Sequence, residues 1–141
     1  MISSLDELLR SMNPLLHEGE FVFCAAETPP ADAIATFRED EGLTVVISRR
    51  RADELHLPYS YVAAWITLTV HSDLNAVGFL AAITRALAQA GLSCNVIAAL
   101  FHDHLFVPYE KRHETMEALR LTGELGPESL HRELEPRIPV P

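Results

Sequence analysis

The stretch WITLTVHSDLNAVGFLAAITRALAQAGLSCNVIAAL, residues 65–100, decides the fold of this chain. Ile66 and Leu68 alternate with side chains of different character, and this alternation predicts a strand with two different faces. The glycine-containing loop SDLNAVG leads into a segment in which apolar residues recur at helical spacing. We expect the first turn of this helix near Asn75 and its end at Gly91, because glycine supplies the left-handed conformation that ends many helices.

The residues that follow predict three more elements. SCNVIAALF and HLFVPY have the composition of strands, and EKRHETMEALRL has that of a second helix. The order strand, helix, strand, strand, helix is typical of a ferredoxin-like α+β fold, a sandwich in which both helices lie on one face of an antiparallel sheet. One strand is missing, because the tail after Leu121 contains glycines and prolines where a closing strand is expected.

The amino-terminal region can supply the missing strand. The segments GEFVFCAAE and LTVVIS both have strand composition, and a short helix precedes them. We therefore predict two intimately joined units rather than two separable domains, with an amino-terminal half at residues 1–62 and a second unit at residues 63–122. Residues 123–141 are expected to form a loosely ordered tail.

Composition and charge exclude several classes of function. The chain has 141 residues, of which 48% are hydrophobic, and a net charge of -9, which opposes binding to the phosphate backbone of nucleic acids. No apolar run reaches the ~18 residues of a membrane span. The first residues carry Asp6 and Glu7 and lack the basic start of a signal peptide, so we expect a cytoplasmic protein that binds neither nucleic acid nor membrane.

The second unit resembles an ACT domain, a small ligand-sensing module of amino-acid-controlled enzymes. The resemblance rests on ITLTV, SDLNAVG, FLAAITRALAQAGL and SCNVIAA in this order and spacing. With the downstream HDHLFVP, the chain is similar to a bacterial family of tandem ACT-like proteins of unknown function, related in shape to the regulatory region of aspartate kinases. The resemblance implies that residues 1–62 form an ACT-like half and residues 63–122 an ACT domain.

The loop before the first helix of the second unit is the candidate binding site. The front of a helix presents backbone N–H groups without intrahelical partners, and its dipole favours a carboxylate. Gly78 permits close approach, and Asp73 or Asn95 can accept hydrogen bonds from an amino group. The resemblance implies that a ligand lies between this loop and a facing unit, near residues 95–97. The candidate residues are Asp73, Leu74, Asn75, Ala76, Val77, Gly78, Asn95 and Ile97.

A purely structural interpretation of the same loop stays open. Asp73 and Asn75 are ordinary helix-capping residue types, and Gly78 can serve only to let the helix pack closely on the sheet.

The segment His102-Asp103-His104 raises the question of a metal or catalytic site. If the flanking strands are adjacent, His102 and Asp103 fall at their connection, where both side chains reach water, and His104 is hydrogen-bonded at the hairpin edge. A metal site needs a third ligand such as His71 or His113, and no recognised ligand spacing supports one. We therefore predict no metal site and no other cofactor.

The sequence lacks several well-known catalytic motifs. Neither Cys24 nor Cys94 has an activating basic neighbour in sequence, and the chain contains no G-x-S-x-G, P-loop or G-x-G-x-x-G motif. An enzyme is therefore disfavoured.

Three hypotheses of function follow. The first is a non-catalytic regulatory module that binds a small molecule, with an amino acid as the natural ligand, and that acts as a homodimer. The second is a protein-interaction or structural module without a small ligand. The third is a metal-dependent enzyme built on His71, His102 and His104.

Overall fold

The computed structural model describes residues 4–126, which form four α-helices, one 3-10 turn and seven strands. The helices are α1 (Leu5–Arg10), α2 (Arg49–Glu54), α3 (Phe79–Gln89) and α4 (Arg112–Leu125), with the 3-10 turn at Tyr109–Lys111 directly before α4. The strands are β1 (Pro14–Leu16), β2 (Phe21–Ala26), β3 (Ala35–Glu39), β4 (Gly42–Ser48), β5 (Val62–Leu68), β6 (Asn95–Ala98) and β7 (Asp103–Pro108).

All seven strands of this region belong to one antiparallel sheet. Its order is β3-β4-β2-β5-β7-β6, and β1 pairs with β5 beside this path. The same edge of β5 therefore receives two amino-terminal strands. β2 pairs at its beginning, with Phe21 opposite Ala63, and β1 pairs at its end, with Leu16 opposite Ile66. The predicted order of the second unit is confirmed, and so is the donation of strands by the amino-terminal half.

The main core lies between the sheet and helices α1, α3 and α4. Because side chains alternate along a strand, β5 sends Ala64, Ile66 and Leu68 to the helix side, and β7 sends Leu105 and Val107. The helices contribute to this core the following side chains, each at most 7% exposed: Leu8, Leu9, Phe79, Ala82, Ile83, Leu87 and Leu119. Burying a leucine or isoleucine side chain contributes roughly 1.5–3 kcal/mol to the stability of the fold.

Helix α2 covers the same face of the sheet over the amino-terminal strands. Its Ala52 packs with Val22, Cys24, Val45 and Ile47. Phe21 shares a face with Ala63, so the next residue, Val22, points to the helix side. The helices of residues 4–126 therefore lie on one face, as the ferredoxin-like arrangement predicts.

The opposite face of the sheet is lined by aromatic and apolar side chains, and no helix formed by residues 4–126 lies on it. Phe21, Val46, Ala63 and Phe106 are 0–8% exposed there, which requires cover from the sheet itself and its connections. Ring contacts tie this face together, with Phe23 edge-on to Phe106 at a centroid distance of 5.4 Å. We call this surface the open face.

The end of the described region differs from the prediction. Helix α4 continues to Leu125, so residues 123–125 of the predicted tail are helical. Gly123 permits the close packing of α4 on α1, because a Cβ at that position would stand 3.1 Å from the backbone oxygen of Leu9. The rest of the predicted loose tail lies outside the described residues. Within them, none of the helices combines the length and the apolar character needed to cross a bilayer.

Candidate functional site

The loop between β5 and α3 folds into a compact turn around Asp73. The Asp73 carboxylate accepts a hydrogen bond from the backbone N–H of Asn75 at 2.8 Å, and its carbonyl accepts one from the N–H of Ala76 at 2.9 Å. This turn ends before the helix starts, since Gly78 takes a left-handed conformation with φ 90°. The prediction that the helix begins near Asn75 is wrong, because the left-handed conformation of Gly78 interrupts the chain after this turn and α3 begins at Phe79.

The front of α3 has backbone donors that no side chain caps. Gly78 occupies the N-cap position and has no side chain to bond the amides of the first turn. Those amides belong to Phe79, Leu80 and Ala81, and these three residues line a small cavity of about 140 Å³. We call it the loop pocket. Its other lining residues are Ser72, Asp73, Leu74, Ala76, Gly78, Ala98 and Asp103.

Asp103 supplies the loop pocket with a carboxylate. It is the first residue of β7 and only 4% exposed, and its Oδ2 accepts a hydrogen bond of 2.9 Å from the Ser72 hydroxyl. The prediction that Asp103 reaches water at a hairpin connection is therefore wrong. Strand alternation gives the reason: Asp103 shares its face with Leu105 and Val107, so it points to the helix side.

Six of the eight predicted site residues belong to the loop, and four of these line the pocket. Asp73, Leu74, Ala76 and Gly78 do so, whereas Asn75 and Val77 do not, and Val77 is 86% exposed.

The remaining two predicted residues do not join the loop. Asn95 lies opposite Phe106 and Ile97 opposite His104, so both point to the open face. Within residues 4–126 the wall of the loop pocket on β6 is formed by Ala98 instead.

His104 anchors a polar network on the open face. Its Nδ1 accepts a hydrogen bond of 3.0 Å from Trp65 Nε1 and lies 3.0 Å from the Thr67 hydroxyl. That hydroxyl is also 2.7 Å from Nε2 of His17, whose ring stacks on Trp65 at 3.6 Å. His104 is thus hydrogen-bonded, but inside the sheet between β5 and β6 rather than at an edge.

The environment of both imidazoles disfavours their charged forms. Burial, and then repulsion from His102, lower the pKa of His104, against an opposing effect of Asp103. Burial and the proximity of His104 lower the pKa of His17. Both rings are therefore predominantly neutral at pH 7.

The histidines of the described region are not placed to form a metal centre together. The rings of His71 and His102 are 4.7 Å apart and those of His102 and His104 are 6.5 Å apart. Asp103 lies on the opposite face of the sheet from His104, because the two residues are adjacent in β7. Among residues 4–126, no group of three or more His, Cys, Asp or Glu side chains is placed to hold a metal ion.

The fold and the loop together have the form of a tandem ACT protein, and sequence comparison agrees. Two family models described as ACT domain match residues 2–64 and residues 60–120. The chain therefore belongs to the ACT domain family. A comparison with curated protein sequences gives no match.

Solved structures include a protein that is similar over most of both chains. A Vibrio cholerae protein of unknown function, described as a possible transport protein, is 47% identical, with a TM-score of 0.73. The match covers 82% of this chain and 92% of that one.

Two more distant structures share the fold. An Agrobacterium tumefaciens protein has 19% identity and a TM-score of 0.61, with 78% of this chain and 87% of that chain covered. The regulatory subunit of aspartate kinase from Thermus thermophilus has 10% identity and a TM-score of 0.56, with 79% of this chain and 97% of that one covered.

Proposed function

We propose that this chain is a non-catalytic regulatory module that binds a small amino acid in the loop pocket. Membership of the ACT domain family supports a regulatory, ligand-binding role. The observation that carries the proposal is the pairing of opposite polarities in one cavity, with the uncapped amides of Phe79, Leu80 and Ala81 on one wall and the Asp103 carboxylate on another.

A zwitterion satisfies both walls of the pocket. The carboxylate of an amino acid accepts hydrogen bonds from the amides at the front of α3, where the helix dipole adds partial positive charge. Its ammonium group bonds to Asp103, whose carboxylate uses Oδ2 for Ser72. Asp73 is less suited to the ammonium, because it is more exposed than Asp103 and solvent screens its charge more strongly. This assignment replaces the predicted acceptors Asp73 and Asn95.

The size of the pocket restricts the ligand. Its volume of about 140 Å³ is well below the roughly 300–1,000 Å³ of ordinary small-molecule sites. A small amino acid fits such a space, and a longer side chain has to leave the pocket past Leu74, which is 64% exposed. A facing surface from a second copy of the chain completes the site in our proposal.

The signal passes through strand β6. Ala98 lines the loop pocket and belongs to β6, which pairs only with β7 in the described part of the chain and so ends the sheet with an unpaired edge. We propose that the protein is a homodimer paired through sheet edges or helices, and that occupancy of the pocket shifts this pairing. The division into units at residues 1–62 and 63–122 belongs to the same proposal.

Thermal unfolding with each of the amino acids tests the proposal. A ligand at a hundred times its dissociation constant stabilises the folded state by about 2.7 kcal/mol. In Asp103→Asn the amide oxygen still accepts from Ser72, but the charge that bonds the ammonium is gone, so we expect the stabilisation to vanish. Asp40→Asn, an exposed change in the β3–β4 turn, is the matched control and should respond like the wild type.

Two outcomes contradict amino acid binding. The first is a well-folded wild-type protein that no amino acid stabilises. The second is an amino acid whose effect is equal in Asp103→Asn and Asp40→Asn, which places the ligand elsewhere.

Exposed apolar side chains favour a second candidate function, a protein-interaction module without a small ligand. Val77, Leu100 and Phe101 are 60–86% exposed, and the loop and the β6–β7 turn that carry them lie at the same end of the sheet. Sedimentation equilibrium distinguishes the two functions. A dimer dissociation constant that every amino acid leaves unchanged supports the interaction module, and a shift with one amino acid supports the sensor.

A further inference from the structure

The open face contains a second cavity, separate from the loop pocket. Its volume is about 370 Å³, within the range of ordinary small-molecule sites. Residues 32–35 form one wall, and the floor and far wall belong to Trp65, Ile97, Ala99, His104 and Phe106. We call it the sheet cavity. It lies across the sheet from the loop pocket, because Ile97 and Ala98, neighbours in β6, line different cavities.

The wall formed by residues 32–35 is held in place by specific bonds. The N–H of Ile34 donates to the carbonyl of Val46 at 2.7 Å, and the N–H of Ala33 donates to the carbonyl of Pro30 at 3.0 Å. Arg51 forms an ion pair of 3.1 Å with Asp32, which occupies the only carboxylate of this wall. The cavity is therefore preformed, with a mainly apolar lining.

His104 gives the sheet cavity a hydrogen-bond donor. The indole N–H of Trp65 can only donate, so Nδ1 of His104 carries no proton and the proton of the neutral ring is on Nε2. Nε2 bonds to none of the residues 4–126. Nε2 is also not fully buried, because it is not among the fully buried side-chain polar atoms of that range that lack a partner. The Nε2–H of His104 is therefore available to a ligand in the sheet cavity, which His104 lines.

We propose that the sheet cavity is a binding site for a small aromatic or branched apolar molecule that carries one uncharged hydrogen-bond acceptor. The apolar body packs against Trp65, Ile97 and Phe106, and the acceptor takes the proton of His104 Nε2. A cationic ligand is disfavoured, because the imidazole presents a donor and Asp32 is already paired. This site is independent of amino acid binding at the loop pocket.

Trp65 is the only tryptophan of the chain, so its indole N–H gives a single cross-peak in a ¹⁵N-¹H spectrum. Acetophenone, an aromatic ring with one carbonyl acceptor, is the probe, and ethylbenzene is the probe of similar shape without an acceptor. We expect acetophenone to move the Trp65 cross-peak saturably. No movement up to the solubility limit of acetophenone overturns the proposal.

Two neighbouring alanines give matched variants that separate the two cavities. Ala99→Leu fills the sheet cavity and should weaken acetophenone binding at least tenfold. Ala98→Leu makes the same change in the loop pocket and should leave it within twofold. The reverse pattern, or equal effects, places the probe outside the sheet cavity and refutes the site.

The role of His104 has its own variant. In His104→Asn the side-chain oxygen takes the place of Nδ1 and still accepts from Trp65, but the amide is too short to reach the position of Nε2. Loss of one net hydrogen bond corresponds to about a fivefold weaker affinity for acetophenone. Ethylbenzene should change by less than twofold. Equal weakening of both probes contradicts the donor role.

Discussion

Replacement of Leu9 by alanine tests whether the amino-terminal helix belongs to the core of the second unit. Leu9 lies in α1, is 0% exposed and packs in the cluster that also contains side chains of β5, α3, β7 and α4. Leu→Ala substitutions in such cores cost ~2–5 kcal/mol, depending on how far the surroundings relax. Met12 is flexible and belongs to the same cluster, so we expect partial relaxation and a loss of about 3 kcal/mol.

Urea unfolding measures this loss with two probes. Trp65 fluorescence reports on β5, and far-UV circular dichroism reports on the whole chain. With a slope of about 2 kcal/mol per M, the midpoint of Leu9→Ala should fall by about 1.5 M, in one transition common to both probes. Leu15→Ala in β1 is the control, because this side chain is 51% exposed and its loss should change stability by no more than ~0.5 kcal/mol.

The reasoning fails if Leu9→Ala costs less than about 1 kcal/mol, because a core position cannot be truncated so cheaply. It also fails if the two probes separate and the Trp65 transition stays at the wild-type midpoint. Either result means that the second unit folds without α1.

Three further predictions concern titration, thiol reactivity and truncation. Burial lowers the pKa of His17 and His104 below 6.5, so between pH 6.5 and the lowered pKa values the unfolded chain binds more protons than the folded chain. The free energy of unfolding should therefore fall as the pH decreases through this window and change little between pH 7 and 8. Urea titration at each pH measures it. Burial raises the pKa of the Cys94 thiol to about 11. At pH 8 a disulfide exchange reagent should therefore modify Cys94 far more slowly in the native protein than in 6 M guanidinium. Equal rates would show that the thiol is accessible and unperturbed. A fragment of residues 63–126 lacks β1 and β2, the strands that pair with one edge of β5, and should be unfolded or aggregated by circular dichroism and gel filtration; a monomeric folded fragment would contradict the joined core.

The second unit was predictable because its sequence has clean local periods. The alternation around Ile66 and Leu68 gave the strand β5, and Gly91 gave the end of α3, where φ is 73°. The pairing of amino-terminal strands with the second unit is predictable from the number of strands. The second unit has one strand too few to complete its sheet, and the remaining predicted strands lie in the amino-terminal half.

The candidate site was harder to predict, because it depends on two details of geometry. The bond from the Asn75 N–H to the Asp73 side chain fits a helix start as well as a turn, and the left-handed conformation of Gly78 decides for the turn. The face on which a strand residue lies depends on where the strand begins. The spacing of Asp103 from Leu105 and Val107 is the signal that places it on the helix side, provided that β7 begins at Asp103. The same alternation of side chains along β6 places Ile97 on the open face and Ala98 on the helix side.

The shared edge of β5 has a consequence for synthesis of the chain. Leu15 pairs with Thr67, and the intervening residues must leave the ribosome before β1 can find its partner. Until β5 has emerged, β1 lacks its pairing partner and α1 lacks the core on which it packs, so their leucines are exposed to the solvent or to a chaperone. Closing such a long loop is slow compared with forming a local hairpin. Nascent chains paused shortly before β5 should therefore be the form most exposed to proteolysis and to premature association.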